Sequence, residues 1–273
     1  MTDKQVNRWL RRQFSLVGWI LVAYYGMMTL VASAAMWLEE VKQMLPGQNF
    51  DLAAIYGNAW GYVLAVLMGL IILHAWKGGN YWREEIFARE DRMRPGVFFC
   101  MLLFCMGAQL VNSLWISVVE ASLNVFGKSA MELLESVAGD SDTFSMFLYA
   151  SILAPIGEEI LFRGYVLRSL RPYGKRFAVL GSAVLFGLFH GNLLQTPYAI
   201  LMGLVLGYVA VEYSVTWSIA LHMFNNLVLA DDMYYFANGF RLQINENVTV
   251  VGKDLQLYGG GFKETVAGTN MKL

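Results

Sequence analysis

Along most of the chain, long apolar runs alternate with short connections that hold the charges. The runs exceed the length of ordinary core elements, and their regular recurrence predicts helices that cross a bilayer. Seven are expected, at about 14–37, 52–76, 96–123, 144–171, 177–194, 197–211 and 215–229. Ala32-Ser33-Ala34 resembles a signal cleavage site, but the apolar run before it is too long for a signal peptide, so a retained helix is expected. Arg171-Pro172-Tyr173-Gly174 supplies breakers for a turn between the fourth and fifth runs. Thr196-Pro197 reads as an N-cap followed by proline in the first helical position. After residue 231 the pattern changes. Val248-Thr249-Val250-Val251 and Leu255-Gln256-Leu257-Tyr258 alternate weakly ahead of Gly259-Gly260-Gly261, which suggests a small hairpin or a loose tail.

The expected fold is therefore all-α, a polytopic membrane bundle of about seven helices with a short polar C-terminal tail. It divides into an N-terminal three-helix region (1–143), a four-helix core (144–230) and an extracytoplasmic tail (231–273).

Composition agrees: 57% of the 273 residues are hydrophobic and only 15% charged, with mean hydropathy +0.46. Of the 20 Lys and Arg residues, 14 fall at the N-terminus, in the second connection and around the fourth-to-fifth turn. The positive-inside rule makes that side cytoplasmic, so the N-terminus is expected inside and the C-terminus outside a plasma membrane. No basic domain or aromatic–basic interleaving points to nucleic acid. Cys100 and Cys105 lie in one apolar run, five residues apart, and read as small core residues without a bridge. His74, beside Trp76 and Lys77, reads as an interfacial histidine.

Three ionisable residues interrupt the fourth run, in Glu158-Glu159-Ile160-Leu161-Phe162-Arg163. Such groups in lipid are costly unless paired or set in a wet cavity. Glu159 and Arg163 are four apart on a helix and share a face, which leaves Glu158 free to face something else. A buried structural ion cluster would use the same three residues. The other two histidines also lie in apolar runs, His190 in Phe186-Gly-Leu-Phe-His190 and His222 in His222-Met-Phe-Asn225-Asn226. Glu158 and His190 are equally distant in sequence from Gly174, so an antiparallel helix pair brings them to one depth. His222 and Asn226 share a helix face. Pro155 and Gly157 bend the helix just before the glutamates, as backbone lining a cavity can.

This chemistry suits hydrolysis. A Glu158–His190 pair can deprotonate water for attack on a peptide carbonyl, and His222 with Asn226 can donate to the oxyanion. Arg163 and Glu159 would hold helix and field in place. No serine or cysteine stands beside a base in an equivalent position. Glu158, His190 and His222 also form a possible zinc set, without the helical HExxH spacing; a metal-free site is preferred. A proton-coupled transporter would show halves of matching hydropathy, and none are seen.

The ordered motifs Glu158-Glu159-x-x-x-Arg163, Phe186-x-x-x-His190 and His222-x-x-x-Asn226 resemble the CPBP family of intramembrane proteases. That family includes the type II CAAX prenyl endopeptidases and relatives linked to bacteriocin processing and self-immunity. The resemblance implies a peptidase in which Glu158 and His190 activate water, His222 and Asn226 form the oxyanion site, and Glu159, Arg163 and Phe186 give support. It implies no obligatory cofactor, although such proteins are often labelled metalloproteases. The expected partners are the lipid bilayer and a membrane-associated peptide or protein substrate. A non-catalytic immunity or partner-binding protein of the same fold is the alternative.

Overall fold

The computed structural model describes residues 3–44, 59–88, 92–130, 144–228, 248–251, 254–259 and 262–266. Seven helices follow one another among these residues. They are α1 (Asp3–Gln43), α2 (Trp60–Tyr81), α3 (Pro95–Asn124), α4 (residues 144–173), α5 (Lys175–Phe189), α6 (Thr196–Glu212) and α7 (Val215–Val228). Large apolar side chains such as Leu30, Leu103, Leu110 and Leu114 point outward and are exposed. An aliphatic surface of this kind belongs in lipid.

Four helical stretches are long and apolar enough to cross a bilayer: Phe14–Lys42, Trp60–Ile86, Pro95–Asn124 and Ser145–Tyr173. The seven expected helices are all present among the described residues. Helices α5 and α6 have 15 and 17 residues, and the described part of α7 has 14. At 1.5 Å per residue α5 and α6 are shorter than the roughly 30 Å hydrocarbon layer. The fifth apolar run was expected to reach residue 194, but its helix stops at Phe189, and Gly191 turns the chain at φ +67°. Leu193 and Leu194 kept the run apolar while belonging to the connection. The expected start of the second span at Leu52 lies outside the described residues, as does residue 229, the expected end of the last span.

The start of α6 also differs in detail. Thr196 is the first helical residue, and its hydroxyl is near the carbonyls of Asn192 and Gly187. The N-cap is Gln195, without a side-chain cap, and its own N–H is taken by Asn192 Oδ1 at 2.7 Å. Of the two cysteines, Cys105 is buried as expected whereas Cys100 is exposed. His74 is exposed, its ring edge-on to Trp82 at 5.1 Å.

Helix α4 is the axis of the bundle, and it is not uniform. π-Helical segments occupy Tyr149–Leu153 and Ile160–Leu167, with an α-helical segment, Ala154–Glu159, between them. Proline explains the first. Pro155 has no N–H and cannot close an α-helical bond. In the wider register the Ala154 N–H donates to Tyr149 O, five residues back. The bend expected at Pro155 thus takes the form of a π segment. The whole second segment, Ile160 to Leu167, is buried.

The neighbours of α4 grip its backbone. The Ser182 hydroxyl of α5 donates to Phe162 O at 3.0 Å, and the Tyr81 hydroxyl of α2 donates to Gly164 O at 2.8 Å. The Tyr165 hydroxyl donates to Leu73 O at 2.8 Å and accepts from Trp82 Nε1 at 2.9 Å. Helices α1 and α2 pair with each other and lean on α4, whereas α3 packs on α6 and α7.

Helices α5 and α6 approach most closely through glycine. A Cβ on Gly203 would lie 2.9 Å from the Ala183 Cα, and one on Gly207 would lie 3.1 Å from Val179. The Gly203-x-x-x-Gly207 spacing is the small-residue stripe by which helices associate in lipid. The tail holds a three-stranded antiparallel sheet, β1 (Val248–Val251), β2 (Asp254–Gly259) and β3 (Phe262–Val266), in that order. The first two strands are the expected hairpin, with Val250 opposite Leu255; the third strand extends it.

Candidate active site

The adjacent carboxylates of α4 have different surroundings. Glu159 is fully buried, with Arg163 Nη1 at 3.0 Å from its Oε1. The same oxygen accepts from His222 Nδ1 at 3.1 Å, and the Ser218 hydroxyl reaches Oε2. Arg163, also fully buried, donates through Nη2 to Gly203 O at 3.2 Å and stands 4.6 Å above the Phe186 ring. The i,i+4 pairing expected of Glu159 and Arg163 is present. Glu159 has three partners, whereas Arg163 has the carboxylate, Gly203 O and the Phe186 face and keeps a buried Nε with no hydrogen-bond partner among the described residues; the pair holds in a low dielectric through these contacts.

Glu158 keeps 23% of its side chain exposed, and its Oε2 lies 3.9 Å from His222 Nε2. His222 therefore bridges the two glutamates, one on each ring nitrogen. The carboxylate of Glu159 only accepts, so Nδ1 carries the proton. In the neutral ring Nε2 is then a lone pair facing the Glu158 side, and in the imidazolium it is a donor there. Burial and partners thus separate two neighbouring residues of identical chemistry. One is locked into an ion cluster and the other stays partly exposed.

His190 is the first residue beyond α5, half-buried, with Nδ1 3.0 Å from Phe186 O. That bond assigns its proton to Nδ1 and leaves Nε2 as an acceptor. Among the described residues no hydrogen bond or ion pair joins His190 to Glu158. The link runs through Phe186, 1% exposed, whose ring meets His190 edge-on at 5.0 Å and His222 at 5.8 Å. The two imidazoles, distant in sequence, are held against one aromatic ring. Phe186 also meets Phe162 at 5.2 Å, which fixes it to α4.

Asn226 donates through Nδ2 to Ala150 O at 3.0 Å. The π register explains why that carbonyl is free. Its partner five residues on is Pro155, which has no hydrogen to give. Asn226 supplies it from α7, and its second N–H has no acceptor among the described residues. Asn225 beside it is 1% exposed. It accepts from the Tyr198 hydroxyl at 3.1 Å and donates to Asn226 Oδ1 at 3.1 Å.

Gly157, one residue before the glutamates, is buried against α1 and α2. A Cβ there would fall 2.9 Å from Val66 and 3.3 Å from the Tyr24 hydroxyl. The first two helices thus reach the edge of the site. Ser218, Tyr198, Asn225 and Tyr24 are residues that motif reading passed over. Asn225 adjoins Asn226, and Ser218 precedes His222 by one helical turn; that periodicity is the signal that could have found them.

Of the zinc set, Glu158 and His222 approach each other, while His190 has no ligating contact with either. Among the described residues no group of three or more His, Cys, Asp and Glu side chains is arranged to hold a metal. The donor types suit zinc but their arrangement does not form such a group, so no step is derived through a metal.

Residues 140–228 match the family model described as type II CAAX prenyl endopeptidase Rce1-like. The matched stretch, about a third of the chain, contains all seven residues of the three sequence motifs. No curated protein and no solved structure matches the chain.

Proposed function

From the premise that residues 140–228 carry a domain of the Rce1-like protease family, we propose that this membrane protein is an intramembrane endopeptidase that hydrolyses a peptide bond with water activated by Glu158. One observation carries the reading. A partly exposed carboxylate, Glu158, faces an imidazole whose far nitrogen is tied to a fully buried carboxylate. A merely structural cluster needs Glu159, Arg163, Ser218 and His222; it has no use for a second glutamate left beside the ring.

In the proposed reaction Glu158 takes a proton from water, and the resulting hydroxide attacks the substrate carbonyl carbon. The carbonyl π electrons move to oxygen, which becomes the oxyanion. The second Asn226 N–H and the protonated Nε2 of His222 donate to that oxygen. As the intermediate collapses the C–N bond breaks and the leaving nitrogen takes the proton that Glu158 drew from water, with His190 Nε2 accepting and returning protons at the site. Glu159 keeps His222 in one ring orientation throughout, as a carboxylate does for a catalytic histidine. The substrate class is a membrane-associated peptide, a prenylated C-terminus first among candidates. The distribution of basic residues supports an orientation with the N-terminus inside, and the plasma membrane is the proposed location.

The test uses purified full-length protein in lipid nanodiscs and a panel of membrane peptides that includes a farnesylated C-terminal peptide. Cleavage is read by mass spectrometry. Glu158→Gln is expected to lower the rate about 10²–10⁴-fold while the protein stays folded and inserted. Wild-type cleavage by that variant removes Glu158 as the base. Stoichiometric metal with chelator-sensitive cleavage overturns the metal-free mechanism.

A further inference from the structure

The hydrogen bonds around Asn226 have a direction set from one end. A backbone carbonyl can only accept, so Ala150 O requires an N–H, and Asn226 must turn Nδ2 towards it. Its Oδ1 then faces away and requires a donor, which Asn225 supplies through its own Nδ2 at 3.1 Å. The Asn225 Oδ1 in turn requires a donor, and the Tyr198 hydroxyl gives one at 3.1 Å. Each amide is thereby held in one of its two flip states by its neighbours, from α6 through α7 to α4. The chain ends on the one carbonyl of the first π segment that Pro155 cannot satisfy.

We infer that Asn225 and Tyr198 are positioning residues for hydrolysis, and that they hold the Asn226 amide so that its remaining N–H serves the reacting oxygen. The inference rests on the proteolytic reading and adds two residues to it. Asn225 is 1% exposed, between neighbours that fix both ends of its amide. Simple space filling at that position needs an apolar side chain, and membrane burial of a carboxamide without partners is unfavourable. A donor aimed at a developing charge is effective when it is already oriented. An Asn226 free to flip would spend part of its time with Oδ1, a repelling oxygen, towards the substrate carbonyl.

Two variants separate orientation from packing. Asn225→Asp keeps the shape and the acceptor for Tyr198 but loses the donor to Asn226. Tyr198→Phe removes only the hydroxyl at the head of the chain. The peptide cleaved by wild type in nanodiscs gives kcat and KM. The side-chain amide of Asn226, followed by ¹⁵N NMR in protein labelled at asparagine, reports orientation without any substrate. In Asn225→Asp, kcat is expected to fall roughly 10- to 100-fold with KM within about twofold, and the Asn226 amide resonance to move. Tyr198→Phe changes both in the same direction by less. An Asn226 resonance unmoved in both variants overturns the hydrogen-bond chain. A moved resonance with wild-type kcat overturns the positioning role alone. Cleavage that survives Glu158→Gln is the separate failure of the proteolytic reading, and it removes the catalytic use of the chain with it.

Discussion

Replacing Glu159 by glutamine keeps the shape of the side chain and removes its charge. Arg163 would remain fully buried with only Gly203 O and the Phe186 face as partners. The His222 Nδ1–H and the Ser218 hydroxyl would each face a weaker acceptor. Removing one member of a buried ion pair costs about 3–5 kcal/mol, because the charge left behind is uncompensated. Glu159→Gln is therefore expected to lower the unfolding free energy by about that amount, measured by reversible unfolding in mixed micelles. A second variant isolates the cause. Glu159→Leu combined with Arg163→Met removes both charges, and such replacements are often neutral or stabilising. Ser218 keeps Leu206 O as an acceptor at 3.0 Å, so only the His222 N–H is orphaned, at about 1–3 kcal/mol. The double variant is expected to be about 2 kcal/mol more stable than Glu159→Gln. It should stay inactive nonetheless, since nothing then fixes the ring of His222. A Glu159→Gln protein as stable as wild type, or a double variant less stable than the single one, would refute the ion-cluster account.

Gly203→Ala should destabilise by about 1–3 kcal/mol, because the added Cβ meets the Ala183 backbone at 2.9 Å and α5 and α6 must separate; thermal unfolding in detergent checks it. Asn226→Ala leaves Ala150 O without a donor and should cost about 1–3 kcal/mol. In a Pro155→Ala background, which restores an N–H to the π register, the same change should cost less; a double-mutant cycle with no coupling contradicts the proline explanation. Tyr165→Phe removes the hydroxyl shared by Leu73 O and Trp82 Nε1, and a loss of about 1–2 kcal/mol is expected, read by the same unfolding assay.

Hydropathy is a local property, so the helical membrane class was legible from the sequence. The i,i+4 pairing of Glu159 with Arg163 was legible for the same reason, since helix geometry alone sets it. The order of the three motifs pointed to the protease family, and the family match over residues 140–228 agrees. The interruptions were harder to read. Pro155 announced a bend but not a π segment, because the wider register depends on whether a neighbour can satisfy the freed carbonyl, and that neighbour, Asn226, is 76 residues away. The end of α5 at Phe189 was hidden by Leu193 and Leu194, which are apolar whether in a helix or in a packed connection.

What tertiary structure decided was the division of labour between identical groups. Helix spacing pairs Glu159 with Arg163 and singles out Glu158 as the free carboxylate, but it does not say how deeply either is buried. Helices α6 and α7 settle it by supplying Gly203 O, Ser218 and His222 to the Glu159–Arg163 pair. The meeting of His190 with His222 across Phe186 is likewise a product of packing. Sequence fixes which side chains can ionise and which backbone groups lack a hydrogen. Burial and partners, set by helices far apart in the chain, decide how fully the paired charge is enclosed and how much of its neighbour stays exposed.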